Sequence, residues 1–320
     1  MWLTWRAATE RALYGEEGFY LRERPSGHFR TSVSASAAFA DAVLGLLTEV
    51  DTELGGPDVL DLVDIGAGEG TLVTQVLAAA EPMLRDRLRV TAVDLSPRPE
   101  GLPERVTWRR SLPTGITGLA IANEWLDNIP LDVAEQTADG PRLIMVDVHT
   151  GEERLGGTLR PADRAWLDRW WPLSRVGSRA EIGRPRDEAW ASVLVRLNRG
   201  RAIAIDYAHA VDNRPLCGTL TGYRDGAVVA PIPDGTCDIT AHVALDACAE
   251  AGRRAGAIST TLSTQREALK ALGITGTRPP IDLAHTDPRG YVRALARASE
   301  EGELIDPAGL GGFGWLSQRR

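Results

Sequence analysis

Two stretches concentrate the residues that could do chemistry. The run NEWLDNIP (123–130) places two carboxylates and two amides directly after the apolar run GLAIA. Carboxylates accept hydrogen bonds and attract cations, so Glu124 and Asp127, with Asn123, are candidates to hold and orient a polar group. The run DIGAGEGT (64–71) also follows an apolar run. Glycines at that spacing let the backbone turn sharply and let a ligand approach the start of the next helix. Each stretch also has a plainer reading: a solvated acidic loop or helix cap for the first, an ordinary glycine-rich turn for the second.

The elements that must position these residues alternate. VLDLVDIG (59–66), RLRVTAVDL (87–95), RVTW (105–108), GLAIANE (118–124) and RLIMVDV (142–148) read as strands. TLVTQVLAAA (71–80) has helical spacing, with Leu72, Val73, Val76 and Leu77 on one face. Near-continuously apolar strands alternating with helices imply a parallel sheet covered on both faces: an α/β, doubly wound, Rossmann-like fold. From about 150 to 199 the pattern changes to helices rich in tryptophan, Trp166, Trp170 and Trp171 among them. RAIAIDYA (201–208) returns to a buried strand, followed by DITAHVALDACAEAGRRAG, in which Asp238 is a candidate N-cap, and by the helix TQREALKALG. The expected organisation is an N-terminal helical or lid segment over 1–58, a core over 59–149 and 200–320, and a mainly helical insertion over 150–199 on the substrate side.

The glycine turn discriminates between cofactors. The dinucleotide fingerprint would need glycine at 66, 68 and 71, and position 71 is Thr. Gly66, Gly68 and Gly70, with Asp64 two residues ahead, give instead the pattern of S-adenosylmethionine enzymes. Asp94 closes the second strand, where an acid can accept hydrogen bonds from ribose hydroxyls. In a doubly wound sheet ligands lie beyond the carboxyl ends of the strands. Asn123 to Asp127 end the fourth strand, next to the first, where a methyl donor and its acceptor would meet.

With those residues in view, the chain resembles the MidA-like family of class I methyltransferases, whose mitochondrial members assist assembly of respiratory complex I. The family's GDFxTS appears as Gly27-His28-Phe29-Arg30-Thr31-Ser32, its glycine motif as DIGAGEGTL, and its NEFFDALP as NEWLDNIP. Its GTLRGY and GxxDITAHV appear as GTLTGY (218–223) and GTCDITAHV (235–243), and its later TQ as Thr264-Gln265. The departures are His28 for Asp, Ala208 in the family's DYG, and Asn128 and Ile129 in the acidic motif.

The resemblance implies S-adenosyl-L-methionine as cofactor, with Asp64, Gly66, Gly68, Gly70, Asp94 and Asn123 at its site and Thr31 and Ser32 lining a lid. It implies a protein substrate, with an arginine side chain the acceptor in mitochondrial members. Guanidinium stays charged and presents its donors as a planar fork, which Glu124 and Asp127 could clamp for in-line transfer. No metal is required. Two other readings stay open: a catalytically weak assembly or scaffold protein, and a small-molecule methyltransferase.

The totals set limits. A net charge of -8 argues against nucleic acid as a main partner, because phosphate neutralisation needs a basic face. Three cysteines without a CxxC pair suggest neither a disulfide framework nor a zinc site, and fit a reducing cytoplasm. No apolar run reaches the ~18 residues a membrane span needs.

Overall fold

The computed structural model describes residues 1–22 and 32–320. Its centre is a seven-stranded sheet in the order Ser259–Thr264, Gly314–Arg319, Leu197–Asp206, Ile116–Asn123, Leu60–Ile65, Leu88–Val93, Val106–Arg109. Neighbours from Leu197–Asp206 through Val106–Arg109 pair in parallel. Gly314–Arg319 is antiparallel to both of its neighbours.

Every residue of Leu60–Ile65 is buried, which explains why its sequence does not alternate. Leu60, Leu62, Leu119, Ile121, Ile203 and Ile205 face one layer, built largely by the helices Ala37–Glu53 and Thr71–Ala79. Val63, Ile65, Ala120, Ala202 and Ala204 face the other, built by Arg184–Arg196 and Leu245–Arg254. The sheet is therefore covered on both sides.

Short helices carry their own start signals. Gln265–Ala271 begins at Thr264, whose Oγ1 accepts from the Glu267 N–H while the Glu267 carboxylate accepts from the Thr264 N–H. That capping box satisfies two otherwise orphaned donors.

The strand expected over 142–148 belongs elsewhere. It forms as Gly140–Asp147 and joins a second sheet in the order Trp2–Thr4, Gly140–Asp147, Val133–Thr137, Arg179–Glu181, with Glu153–Thr158 also on Gly140–Asp147. The reason is visible in its burial: Pro141, Ile144 and Val146 are buried, while Arg142 is exposed. That is the half-buried pattern of an antiparallel strand, not of a strand inside a parallel sheet. Residues 150–199 add the helices Pro161–Trp170 and Arg184–Arg196 to two short strands. Trp166 and Trp171 are packed among Leu167, Ala180 and Ile182. The helix Trp5–Tyr14 lies on the second sheet, burying Trp5, Ala8, Ala12 and Leu13 against Val133, Ile144 and Val146. Among the described residues, no helix is long and apolar enough to cross a membrane.

Candidate active site

A cavity of about 660 Å³ opens at the carboxyl ends of the central strands. The glycine turn forms one wall. Gly66, Gly68 and Gly70 all have left-handed backbone, with φ of 72°, 54° and 71°, a region L side chains rarely adopt. At Gly68 nothing lies within 4 Å of where a Cβ would stand, so the space beside the backbone is free for a ligand. At Gly66 a Cβ would meet the Trp125 ring at 3.0 Å. Gly70 is set back from the cavity and ends the turn as the residue before Thr71–Ala79.

Two carboxylates sit beside this turn. Asp94 Oδ2 accepts from the Gly68 N–H at 2.9 Å, and Oδ1 from the Ser96 N–H at 2.8 Å. Each oxygen keeps a second lone pair. Asp64 lines the same wall, and burial, with the Asp94 charge in addition, pushes its carboxyl up to about 7. Tyr14, Tyr20 and Arg22 from the N-terminal helices also line the cavity, with Arg98 and Arg110 near the second and third strands.

The acidic turn closes the floor. Glu124 has φ of 52°, a left-handed conformation that a non-glycine residue keeps only when its surroundings enforce it. The Glu124 N–H donates to Ile205 O at 2.8 Å, and the N–H groups of Leu126 and Asp127 donate to Asp206 Oδ2 at 2.9 and 3.2 Å. The side chain lines the cavity, and Glu124 Oε1 accepts from Asn123 Nδ2 at 2.9 Å and from the Ser32 N–H at 3.2 Å. Burial, then the Asp127 charge, pushes the Glu124 carboxyl up to about 8. Asn123 Oδ1 is buried without a hydrogen-bond partner among the described residues.

The expected clamp of Glu124 with Asp127 is not what the turn builds. Asp127 is 5% exposed and does not line the cavity. Its Oδ2 accepts from Thr240 Oγ1 at 2.7 Å, which draws the side chain inward. Asp127 acts on the cavity through charge, by raising Glu124. Asp206 is likewise interior, a brace for the turn and not a cavity residue. Asp238 does not cap a helix: it lies in the strand Asp238–Thr240, and its Oδ1 accepts from Tyr20 OH at 2.8 Å and Asn128 Nδ2 at 3.0 Å. The helix begins only at Leu245. His242 stacks on Tyr207, and burial lowers its pKa, so it is neutral at pH 7. Ser32 Oγ donates to Gln265 Oε1 at 3.0 Å, and Gln265 Nε2 to Leu304 O at 3.0 Å, so Gln265 ties three segments together. Thr31 and His28 lie outside the described residues.

Sequence reasoning missed Tyr14, Tyr20 and above all Arg186. The Arg186 guanidinium is buried and donates to four backbone carbonyls: Asp127 O, Ile129 O at 3.4 Å, Ala241 O at 2.9 Å and His242 O at 2.8 Å. It fastens the acidic turn to the segment after Asp238–Thr240. Its only sequence signal is an arginine in the first turn of the helix Arg184–Arg196, which resembles any surface charge.

Comparison with known families decides the class of chemistry. The family described as "Putative S-adenosyl-L-methionine-dependent methyltransferase" matches residues 46–263, more than half of the chain. The chain belongs to this family. A crystal structure of a COG1565-superfamily protein of Burkholderia thailandensis bound to S-adenosylhomocysteine aligns over 100% of this chain and 88% of its own, at 26% identity and a TM-score of 0.84. A native structure of a COG1565-superfamily protein from the same organism aligns over 100% and 87%, at 27% identity and a TM-score of 0.83. No protein of curated function matches the chain. The fold is thus that of class I methyltransferases, and the cofactor is S-adenosyl-L-methionine. The methyltransferase cavity suits it. A cationic cofactor would find the carboxyl of Asp64, an amine would find Asn123 Oδ1, which has no partner among the described residues, and Gly68 leaves room for close approach.

Proposed function

We propose that the methyl acceptor is a protein side chain, an arginine guanidinium, held at Glu124. One observation carries this reading: among the described residues, the floor of the cavity and the layer behind it contain four carboxylates, Glu124, Asp127, Asp206 and Asp238, against one guanidinium, Arg186, which donates to four backbone carbonyls. Burial raises all four carboxyls and the Asp127 charge adds to the rise of the other three, so the pocket gains most from a group that arrives with a positive charge and several N–H donors. Glu124 would accept from that group and orient one nitrogen, while Asp127 supplies field from behind. Bringing the reactants into register in this way lowers the barrier by prepaid orientation. Tyr14 and Tyr20, from the expected lid segment over 1–58, would border the acceptor. The unpaired cysteines Cys217, Cys237 and Cys248 suit a reducing compartment such as the cytoplasm.

The test is direct. The protein is incubated with methyl-labelled S-adenosylmethionine and peptides that differ only in carrying arginine, lysine or citrulline. Methylarginine found by mass spectrometry in the first peptide alone, and much reduced with Glu124→Gln, supports the reading. Label transferred to lysine, or to none of the three while S-adenosylhomocysteine still binds, overturns it.

A further inference from the structure

A second cavity, of about 310 Å³, lies where the helix Trp5–Tyr14 begins, beside the strand Arg179–Glu181 and the loop through Ile232. Trp5, Val133, Leu220 and Ile232 give it apolar walls. Three charged residues reach it: Glu153, Arg179 and Glu181. Two of them are satisfied. Arg179 donates to Glu153 Oε2 at 2.5 Å and to Glu135 Oε2 at 2.8 Å, and Trp5 Nε1 donates to Glu153 Oε1 at 2.8 Å.

Glu181 differs. It is 2% exposed, and its Oε1 accepts from the Thr219 and Leu220 N–H groups at 2.6 and 3.0 Å. Its Oε2 has no hydrogen-bond partner among the described residues. Buried polar atoms are rarely left so, because each forfeits its hydration without replacement. Among the described residues that line the cavity the one cation, Arg179, is already committed to Glu135 and Glu153. A donor that entered the cavity would give Glu181 Oε2 a partner, and apolar walls around a carboxylate suit a charged head on an apolar stem.

We propose that this cavity binds a guanidinium or alkylammonium group, and that the group is a second basic side chain of the protein acceptor. The source, though not the chemistry, rests on the protein-acceptor reading above. The helix between the cavities sets their spacing. Trp5 lines this one and Tyr14 the methyl-transfer cavity, at the two ends of Trp5–Tyr14. At 1.5 Å per residue the helix ends stand about 14 Å apart. An extended peptide covers that span in about four residues. The acceptor would then carry a basic residue about four positions from the methylated arginine.

Cys217 makes the cavity observable. It lines the cavity and is exposed, whereas Cys237 and Cys248 are buried. The full chain, saturated with S-adenosylhomocysteine, is alkylated with iodoacetamide, and modification of Cys217 is followed by mass spectrometry. N-acetyl-arginine methylamide is expected to slow that modification at least tenfold at saturation, and its citrulline counterpart to leave it unchanged. In Glu181→Gln the concentration needed for protection should rise at least tenfold, with S-adenosylhomocysteine affinity retained as the check on folding. Absence of protection in the unmodified protein, or equal protection by citrulline, overturns the proposal without reference to any variant. A second arm uses peptides with two arginines about four residues apart. Replacing the unmethylated one by citrulline should raise KM and spare kcat. If no peptide is methylated while the arginine probe still protects Cys217, the cationic cavity stands and the protein-acceptor reading falls.

Discussion

The glycine turn over 64–71 and the acidic turn over 123–130 line one cavity but are held in different ways. The first is fixed by its own left-handed glycines and by one carboxylate, Asp94, 26 residues from Gly68. The second is fixed from a distance. Arg186 reaches Asp127 across 59 residues, Asp206 reaches Leu126 across 80, and Thr240 reaches Asp127 across 113. The cofactor wall is a local structure, and the acceptor floor is a tertiary one. Damage to the first should therefore appear chiefly in cofactor binding, and damage to the second in stability and methyl transfer.

The largest expected effect is on the glycine side. Gly68→Val puts a β-branched residue at φ of 54° and its side chain into the cavity. Left-handed strain alone costs ~1–3 kcal/mol, and the occupied space adds to it. Calorimetric binding of S-adenosylhomocysteine should disappear while circular dichroism stays unchanged; retained affinity would break the assignment of that wall. Next is Arg186→Leu, which leaves four carbonyls without their donor. With buried unsatisfied groups costing ~1–3 kcal/mol each, unfolding in urea should show a loss of about 3 kcal/mol or more. A silent variant would mean that the acidic turn does not depend on its distant support.

Glu124→Gln should leave cofactor affinity intact and lower methyl transfer by roughly 10–100-fold, the value of a charge-assisted hydrogen bond of ~1.5–3 kcal/mol. The same variant has a pH signature. The folded protein holds the Glu124 proton up to about 8, against an ordinary value of 4.5. The folded state then binds more protons than the unfolded one between those values, so this contribution to stability is full below 4.5 and is lost as pH rises through about 8. Denaturation curves of the ligand-free protein from pH 5 to 8 should slope downward, and less steeply in Glu124→Gln. The smallest effect is Thr240→Val. It removes one hydrogen bond to Asp127 and should cost about 1 kcal/mol, with a modest drop in kcat and no change in cofactor affinity.

The same contrast explains what the sequence revealed. The glycine turn could be read because its geometry is written in adjacent residues: glycine adopts those φ values without strain, and the strand before it is near-continuously apolar. NEWLDNIP could be read as a cavity stretch because it follows a strand end. Which of its carboxylates faces the ligand could not, since Thr240 and Asp206 decide that from strands far along the chain. Asp238 was misread for a related reason. An acid ahead of a helical pattern is normally a cap, but pairing of Asp238–Thr240 with Thr221–Arg224 and the hydroxyl of Tyr20 claim it first. RLIMVDV has the composition of a core strand, and its antiparallel partners Trp2–Thr4, Val133–Thr137 and Glu153–Thr158 place it in the second sheet.

The order of strands in the central sheet has a consequence in time. Gly314–Arg319 comes last of the seven in the sequence yet lies between Leu197–Asp206 and Ser259–Thr264. While the chain is being synthesised, those two strands emerge before Gly314–Arg319 and have no neighbour on their facing edges. Unpaired edges of apolar strands invite pairing with other chains. The nascent protein therefore passes through an interval, ending only when residues beyond 314 leave the ribosome, in which Ala202 to Ile205 need shelter from aggregation. A chain cut before Gly314 would be held in that state.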